Sequence, residues 1–403
     1  MKYIVILGDG MADRPIDELG GKTPLQAAEI PTIDMLASKG EIGLAATIPP
    51  GMKPGSDTAN LAVLGYDPQV FYSGRSPLEA LSIGAPMEAN DVAMRVNIVT
   101  ISDEEGIPFE ERKILDHSAG EIPTKEAKEL LEACMEELQN DEFKFYVGTS
   151  YRHCCIWANG QVLDFEQPHD HLSEKIGPVM PADERFARMT KRSFEILNHH
   201  PINEKRRAEG KAAANCLWFW GAGTKPSLTS FEEKTGKRGA MISAVDLLKG
   251  IAIGAKMKSI DVEGANGQLE TNYAGKAGAA LNVLLKDGYD FVYVHVEAPD
   301  EMGHQGSIER KIKAIEYLDK RLVKPVYEGL QDSGEKFRML IMPDHPTPIS
   351  LRTHTSDPVP YVLYDSTRER KTIQKYSEEE AELSGNMVNP GYLIMDRLLM
   401  LER

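Results

Sequence analysis

The stretch "YDFVYVHVEAPDEMGH" (residues 289–304) decides the fold. Its first half is a nearly unbroken run of β-branched and aromatic residues, which suits a strand buried on both faces, as in a parallel sheet. The run then stops on polar residues, Asp300 and His304. Two other runs behave the same way. Tyr3 to Leu7 runs into "GDGMAD" and ends at Asp9, and Phe337 to Met342 ("FRMLIMPDHPTP") ends at Asp344 and His345. Helical patterns lie between them: "SAVDLLKGIAIGAKM" (243–257) behind a serine cap, and "KIKAIEYLDKRLVKPVYEGL" (311–330). Strands alternating with helices predict an α/β, doubly wound, mostly parallel sheet.

The middle of the chain departs from this rhythm. From about residue 104 to 180 a helix ("TKEAKELLEACMEEL"), a strand ("FKFYVGTSYRHCCIWA") and turns follow one another without long buried runs. The expectation is a small α+β insertion over 104–180, with residues 1–103 and 181–403 forming the two parts of the core. "CLWFWGAG" (216–223) is assigned to the core.

The bulk numbers narrow the function. The 403 residues carry a formal net charge of −16, which argues against nucleic acid or an anionic membrane as partner. There is no apolar stretch of about 18 residues, and the opening residues read as a first strand and not as a signal peptide. The four cysteines include no Cys-x-x-Cys pair. Cys154 and Cys155, neighbours in one strand, should face opposite sides as reduced packing residues. A cytoplasmic enzyme is expected.

In open α/β sheets ligands sit beyond the carboxyl ends of the strands, where Asp9, Asp300 and Asp344 all fall. A single aspartate there is most often a turn residue. Three of them together with His304, His345 and the histidine of "LRTHTSDP", His354, make a different case. Mixed carboxylate and imidazole donors suit Zn²⁺ or Mn²⁺, six such groups exceed one tetrahedral ion, and converging carboxylates are relieved by a cation pair. In "PPGMKPGSDTANLAVLGYDP" Ser56 opens a helical pattern. A plain N-cap is one reading. A nucleophile is the other, because a helix N-terminus also steadies an anion such as phosphoserine. Asp57 and Asn60 could then orient phosphoryl oxygens or the ligands themselves.

"GDGMAD", "PGSDTANLAVLGYDP", "YSGRSPLEA", "YRHCCIW", "PHDH", "APDEMGH", "PDHPTP" and "RTHTSDPVP", in this order over nearly the whole chain, resemble the archaeal-type, cofactor-independent phosphoglycerate mutases of the alkaline phosphatase superfamily. The resemblance implies an alkaline-phosphatase-like core with an inserted substrate-binding lid. It implies two divalent metal ions (Mn²⁺ or Zn²⁺, possibly Mg²⁺), no 2,3-bisphosphoglycerate, and a small phosphorylated or phosphate-accepting metabolite as substrate. One ion would be held by Asp9, Ser56, Asp344 and His345, the other by Asp300, His304 and His354, with Ser56 carrying the phosphoryl group. Arg152, His153, His169 and Asp170 match lid motifs: Arg152 as an anion clamp, and His153 or His169 as acid or base. For either histidine a plain hydrogen-bonded strand-end residue is an equal reading. Arg75 is a weaker substrate candidate.

One lid stretch departs from the mutases. They usually carry Asp-Arg-Arg-Ala-Gly-Arg where this chain has "LDHSAGEI" (115–122), so that His117, Ser118 and Glu121 replace arginines, as Trp220 does further on. These changes resemble a bacterial sister group of proposed homoserine kinases. On that alternative Asp116 or Glu121 would meet a substrate ammonium, Trp218 and Trp220 would flank a nucleoside (buried core tryptophans being the commoner reading), and ATP would be the donor, although the chain has no Walker A loop. The expected activity is interconversion of 3- and 2-phosphoglycerate, with homoserine phosphorylation as the alternative. A non-catalytic metal-binding relative is the remote third, disfavoured by Ser56 beside a full ligand set.

Overall fold

Strand Lys2–Gly8 lies between Phe291–Val296 and Phe337–Met342 and pairs with both in parallel. The three runs that end on aspartate are therefore adjacent, and the register aligns Leu7 with His295 on one side and with Met342 on the other. In this computed structural model, which describes residues 1–370 and 375–400, they form the middle of an eight-stranded sheet. Gly239–Ile242 and Lys258–Ile260 extend it in parallel beyond Phe291–Val296. On the other side Val359–Asp365 runs antiparallel, followed by Glu41–Ala45 and the short Met387–Val388. Every residue of Phe291–Val296 and of Phe337–Met342 is buried, so both faces of the sheet are covered.

The chain divides into two units, Met1–Tyr72 with Ser227–Arg403, and Ser73–Pro226. The second is wider than the expected 104–180. Its sheet is all antiparallel and is built on Val92–Ile101, which pairs with Arg152–Trp157 and with Cys216–Thr224. "CLWFWGAG" thus belongs to this second sheet and not to the core. Backbone pairing joins flanking strands that composition alone had left outside. The expected single strand 143–158 is a hairpin, Phe143–Thr149 and Arg152–Trp157, turned at Ser150 with φ +54°. Cys154 and Cys155 do face opposite sides and pack into different apolar clusters, and all four cysteines are unpaired and buried.

Two helices differ from the sequence pattern for local reasons. The 311–330 pattern is Ile308–Leu318, a π turn Asp319–Val323, and Lys324–Asp332. The extra residue turns Asp319 inward, where its carboxylate accepts the N–H groups of Thr32 and Ile33 and caps the helix Pro31–Lys39. The helix expected from Ser243 begins at Asp246. The Ser243 hydroxyl instead faces His295.

Candidate active site

Asp9, Asp300 and Asp344 each follow the carboxyl end of one of the three central strands. Asp9 follows Lys2–Gly8 directly. Its neighbour Gly10 is left-handed, φ +60°, and a Cβ there would stand 2.5 Å from both Asp300 Oδ1 and Thr347 Oγ1. Glycine is what lets this turn close on the carboxylates. Asp300 and His304 lie four residues apart on the helix Ala298–His304, on one face. Asp344 and His345 sit in a loop stiffened by Pro343, Pro346 and Pro348.

The ligand-type atoms converge in two groups, Asp9–Asp300–His345 and Asp300–His304–His354, each with its atoms within 4.8 Å of one another. Asp300 belongs to both. Its Oδ2 is 3.2 Å from His304 Nε2, its Oδ1 is 3.4 Å from His354 Nε2, and Thr347 Oγ1 donates to Oδ1. His345 Nε2 lies 3.5 Å from Asp9 Oδ1 and 3.4 Å from Asp344 Oδ2. Asp344 is fully buried. Its Oδ1 accepts the N–H groups of Gly10 and His345, and its Oδ2 accepts Asn60 Nδ2 at 2.9 Å.

This set fits a cation pair on its own evidence. Asp9 Oδ1 is buried and has no hydrogen-bond partner among the described residues. Burial, together with the charges of Asp344 and Asp300, pushes the Asp9 carboxyl well above its ordinary range. The Asp300 carboxylate pulls the His304 imidazole up to about 9, and its histidines outweigh burial to hold Asp300 well below the usual carboxylate range. Divalent cations would satisfy the orphan oxygen and separate the carboxylates.

Ser56 Oγ lies 3.1 Å from His345 Nε2. The N-cap of the helix Ser56–Val63 is Gly55, and no side chain caps it. Ser56 is therefore the first helical residue with its hydroxyl turned to the site, and the plain N-cap reading fails. Asn60, one turn on, donates to the Ser56 carbonyl and to Asp344 and accepts from Tyr293. Asp57 is held by Thr58 N and Tyr72 OH and serves the helix start.

Sequence reasoning missed two supports. His295, next to last in the buried strand Phe291–Val296, brings Nε2 to 2.9 Å from Asp9 Oδ2. Lys311, fully buried, donates to Asp13, to the Ala12 carbonyl and to the Thr347 carbonyl. A His or Lys inside an otherwise apolar strand or helix face was the available signal.

In the second unit the lid motifs separate. Arg152 shares a strand face with Arg95 and Asn97, and its guanidinium makes no hydrogen bond or ion pair among the described residues. Arg95, missed in the sequence, is 8% exposed, lies 4.9 Å over the Trp220 ring and pairs with Glu79, as does Arg75. Burial raises the Glu79 carboxyl, but Arg95, Arg75 and Arg152 outweigh it and hold it below its ordinary value. His169 packs edge-on to Trp220 and to His117. Burial, aided by His117, Arg95 and Arg75, lowers its pKa against the pull of Asp170. Asp170 itself is exposed, 3.8 Å from His169. His153 falls on the opposite face, that of Cys155. There Nδ1 accepts Gly148 N and burial drives its pKa down to about 3. The plain strand-residue reading describes it.

Asp116 is consumed by its own turn: Oδ1 accepts Ser118 N and Oγ, and Oδ2 accepts Gly120 N. Glu121 is exposed at φ +52°. His117 joins the Arg95–Trp220–His169 cluster through His169. Trp218 is buried with its indole N–H on the Glu166 carbonyl, and Trp220 donates to Asn97.

A family model described as 2,3-bisphosphoglycerate-independent phosphoglycerate mutase matches residues 37–203. A Geobacter sulfurreducens protein named as a probable 2,3-bisphosphoglycerate-independent phosphoglycerate mutase is 48% identical over 99% of this chain and 100% of its own. A Methanosarcina barkeri protein named as a 2,3-bisphosphoglycerate-independent phosphoglycerate mutase is 48% identical over 96% of both. Among solved structures, a Pyrococcus horikoshii protein superposes with a TM-score of 0.81 at 30% identity, covering 100% of this chain and 98% of that one. The cofactor-independent phosphoglycerate mutase of Thermoplasma acidophilum gives 0.65 at 29% identity, covering 99% of each. With the ligand-type groups and Ser56 gathered beyond the carboxyl ends of the central strands and near-full-length identity of this order, the chain belongs to the 2,3-bisphosphoglycerate-independent phosphoglycerate mutase family.

Proposed function

We propose that this chain interconverts 3- and 2-phosphoglycerate by metal-dependent phosphoryl transfer through a phosphoserine at Ser56, without 2,3-bisphosphoglycerate. The observation that carries the reading is the uncapped Ser56 hydroxyl 3.1 Å from His345 Nε2, beside a buried carboxylate oxygen that lacks a partner. Asp9 and His345, with Asp344 and Ser56, are assigned to one cation and His304 and His354 to the other, Asp300 standing between them. Mn²⁺ or Zn²⁺ suits this donor set. Such a pair supplies positive charge that offsets the carboxylates and the phosphoryl oxygens.

The chain's own residues do the rest. Ser56 Oγ loses its proton and bonds to phosphorus while the bond from phosphorus to the substrate's C3 oxygen breaks. That oxygen takes up a proton. The C2 hydroxyl then loses its proton and bonds to the same phosphorus as the Ser56 O–P bond breaks, and Ser56 Oγ takes a proton back. The N-terminus of the helix Ser56–Val63 favours the anionic intermediate. In the second unit, Arg152 offers a guanidinium suited to a substrate carboxylate, and His169 an imidazole whose pKa its surroundings lower.

Charge favours this substrate over homoserine. Three guanidiniums, of Arg75, Arg95 and Arg152, surround one carboxylate, Glu79, whereas Asp116 is engaged in its turn. The Geobacter and Methanosarcina relatives carry the name of mutases. No helix among the described residues is long and apolar enough to cross a membrane. The unpaired thiols suit a reducing compartment, and we place the enzyme in the cytoplasm. The test is capture of the intermediate. Denaturing quench of the metal-loaded protein with ³²P-labelled 3-phosphoglycerate should leave label on Ser56; label on any other residue, or none at substrate saturation, defeats the reading.

A further inference from the structure

We propose that His295 is a positioning residue for Asp9: backed by Ser243 and flanked by the Lys276–Glu297 ion pair, it holds Asp9 Oδ2 so that Oδ1 is left for a cation. This rests on the two-cation reading of the site.

The two oxygens of Asp9 are not equivalent. Oδ2 lies 2.9 Å from His295 Nε2, whereas Oδ1 has no hydrogen-bond partner among the described residues and lies 3.5 Å from His345. The His295 ring is held at both nitrogens. Val245 N–H donates to Ser243 Oγ at 3.0 Å, and that hydroxyl lies 3.2 Å from His295 Nδ1. With Nδ1 facing Ser243, Nε2 is the ring nitrogen turned to Asp9.

The setting is built around this ring. His295 is fully buried, and its carbonyl accepts Lys276 Nζ at 2.7 Å. Lys276 also pairs with Glu297 at 3.2 Å, and Glu297 Oε1 stands 3.6 Å from His295 Nδ1. A buried ion pair recovers its desolvation cost only with good geometry, so it is weak evidence for stability and better evidence for a specified position. Strand alternation adds a second sign. Val292, Val294 and Val296 pack into the apolar cluster, while Tyr293 and His295 share the other face. Each of these two polar residues reaches a site carboxylate, Tyr293 through Asn60 to Asp344 and His295 directly to Asp9.

The test is calorimetric titration of metal-stripped, full-length protein with Mn²⁺, with circular dichroism to check folding. Loss of a partner that orients a metal ligand typically weakens binding about 10- to 100-fold. His295→Leu should lose that much at one of two sites. His295→Gln, which keeps an N–H donor at similar reach, should stay within about threefold of wild type, and Ser243→Ala should fall between. Equal affinity in wild type and His295→Leu overturns the proposal, as does His295→Gln as weak as His295→Leu. If His295→Leu does not fold, Ser243→Ala decides: weaker Mn²⁺ binding supports the proposal and unchanged binding overturns it. Wild type that binds no Mn²⁺ overturns the cation reading itself.

Discussion

Ser56 Oγ lies 3.1 Å from His345 Nε2, and the two residues come from opposite ends of the chain. The hydroxyl caps no helix. Ser56→Ala should therefore cost less than about 1 kcal/mol of stability, the usual worth of a capping serine. It should abolish turnover while metal content stays near wild type. Thermal melts and metal analysis check the first part, and a continuous assay with 3-phosphoglycerate checks the second. Residual turnover above a few per cent would mean direct transfer between substrates.

Gly10→Ala should disable the site through geometry. The added Cβ would sit 2.5 Å from Asp300 Oδ1 and Thr347 Oγ1 at a φ of +60°. Left-handed strain and overpacking together predict a loss of about 2–5 kcal/mol. Denaturant unfolding should show the loss, and Mn²⁺ binding should fall with it. An Ala variant of wild-type stability would show that the turn can open without disturbing Asp300.

The core was legible because its signals are local. A parallel strand buried on both faces reads as a continuous apolar run, and the run's end marks the site, so Asp9, Asp300 and Asp344 could be placed from the sequence alone. His345 and His354 followed from their motifs. The second unit was less legible. Its strands alternate and pair across long separations, so Val92–Ile101 and Cys216–Thr224 could not be assigned to it from composition. Arg95 and His295 were missed for a related reason: each sits inside a strand where a charged or titratable residue looks like an exception, and only pairing shows what it faces. Asp116, read from the sequence as a substrate candidate, accepts the N–H groups and hydroxyl of its own turn, which the sequence pattern did not show.

The two lid-region residues should separate cleanly in kinetics. Arg152→Met removes a guanidinium with no hydrogen-bonded partner of its own, so stability should hold while KM for 3-phosphoglycerate rises about 10- to 100-fold, the worth of a charged hydrogen bond of ~1.5–3 kcal/mol. Asp116→Ala should do the reverse, losing about 1–3 kcal/mol of stability with the turn and leaving KM within about threefold. Matching KM effects in both variants would return Asp116 to the substrate.

The most direct measurement is ³¹P NMR of the wild-type protein loaded in turn with Mn²⁺, Zn²⁺ and Mg²⁺, given 3-phosphoglycerate alone in one tube and ATP with homoserine in another. 2-Phosphoglycerate should appear in the first tube with at least one metal, without added 2,3-bisphosphoglycerate, and the second tube should show no phosphohomoserine. Phosphohomoserine in the second tube with no 2-phosphoglycerate in the first would contradict the proposed function.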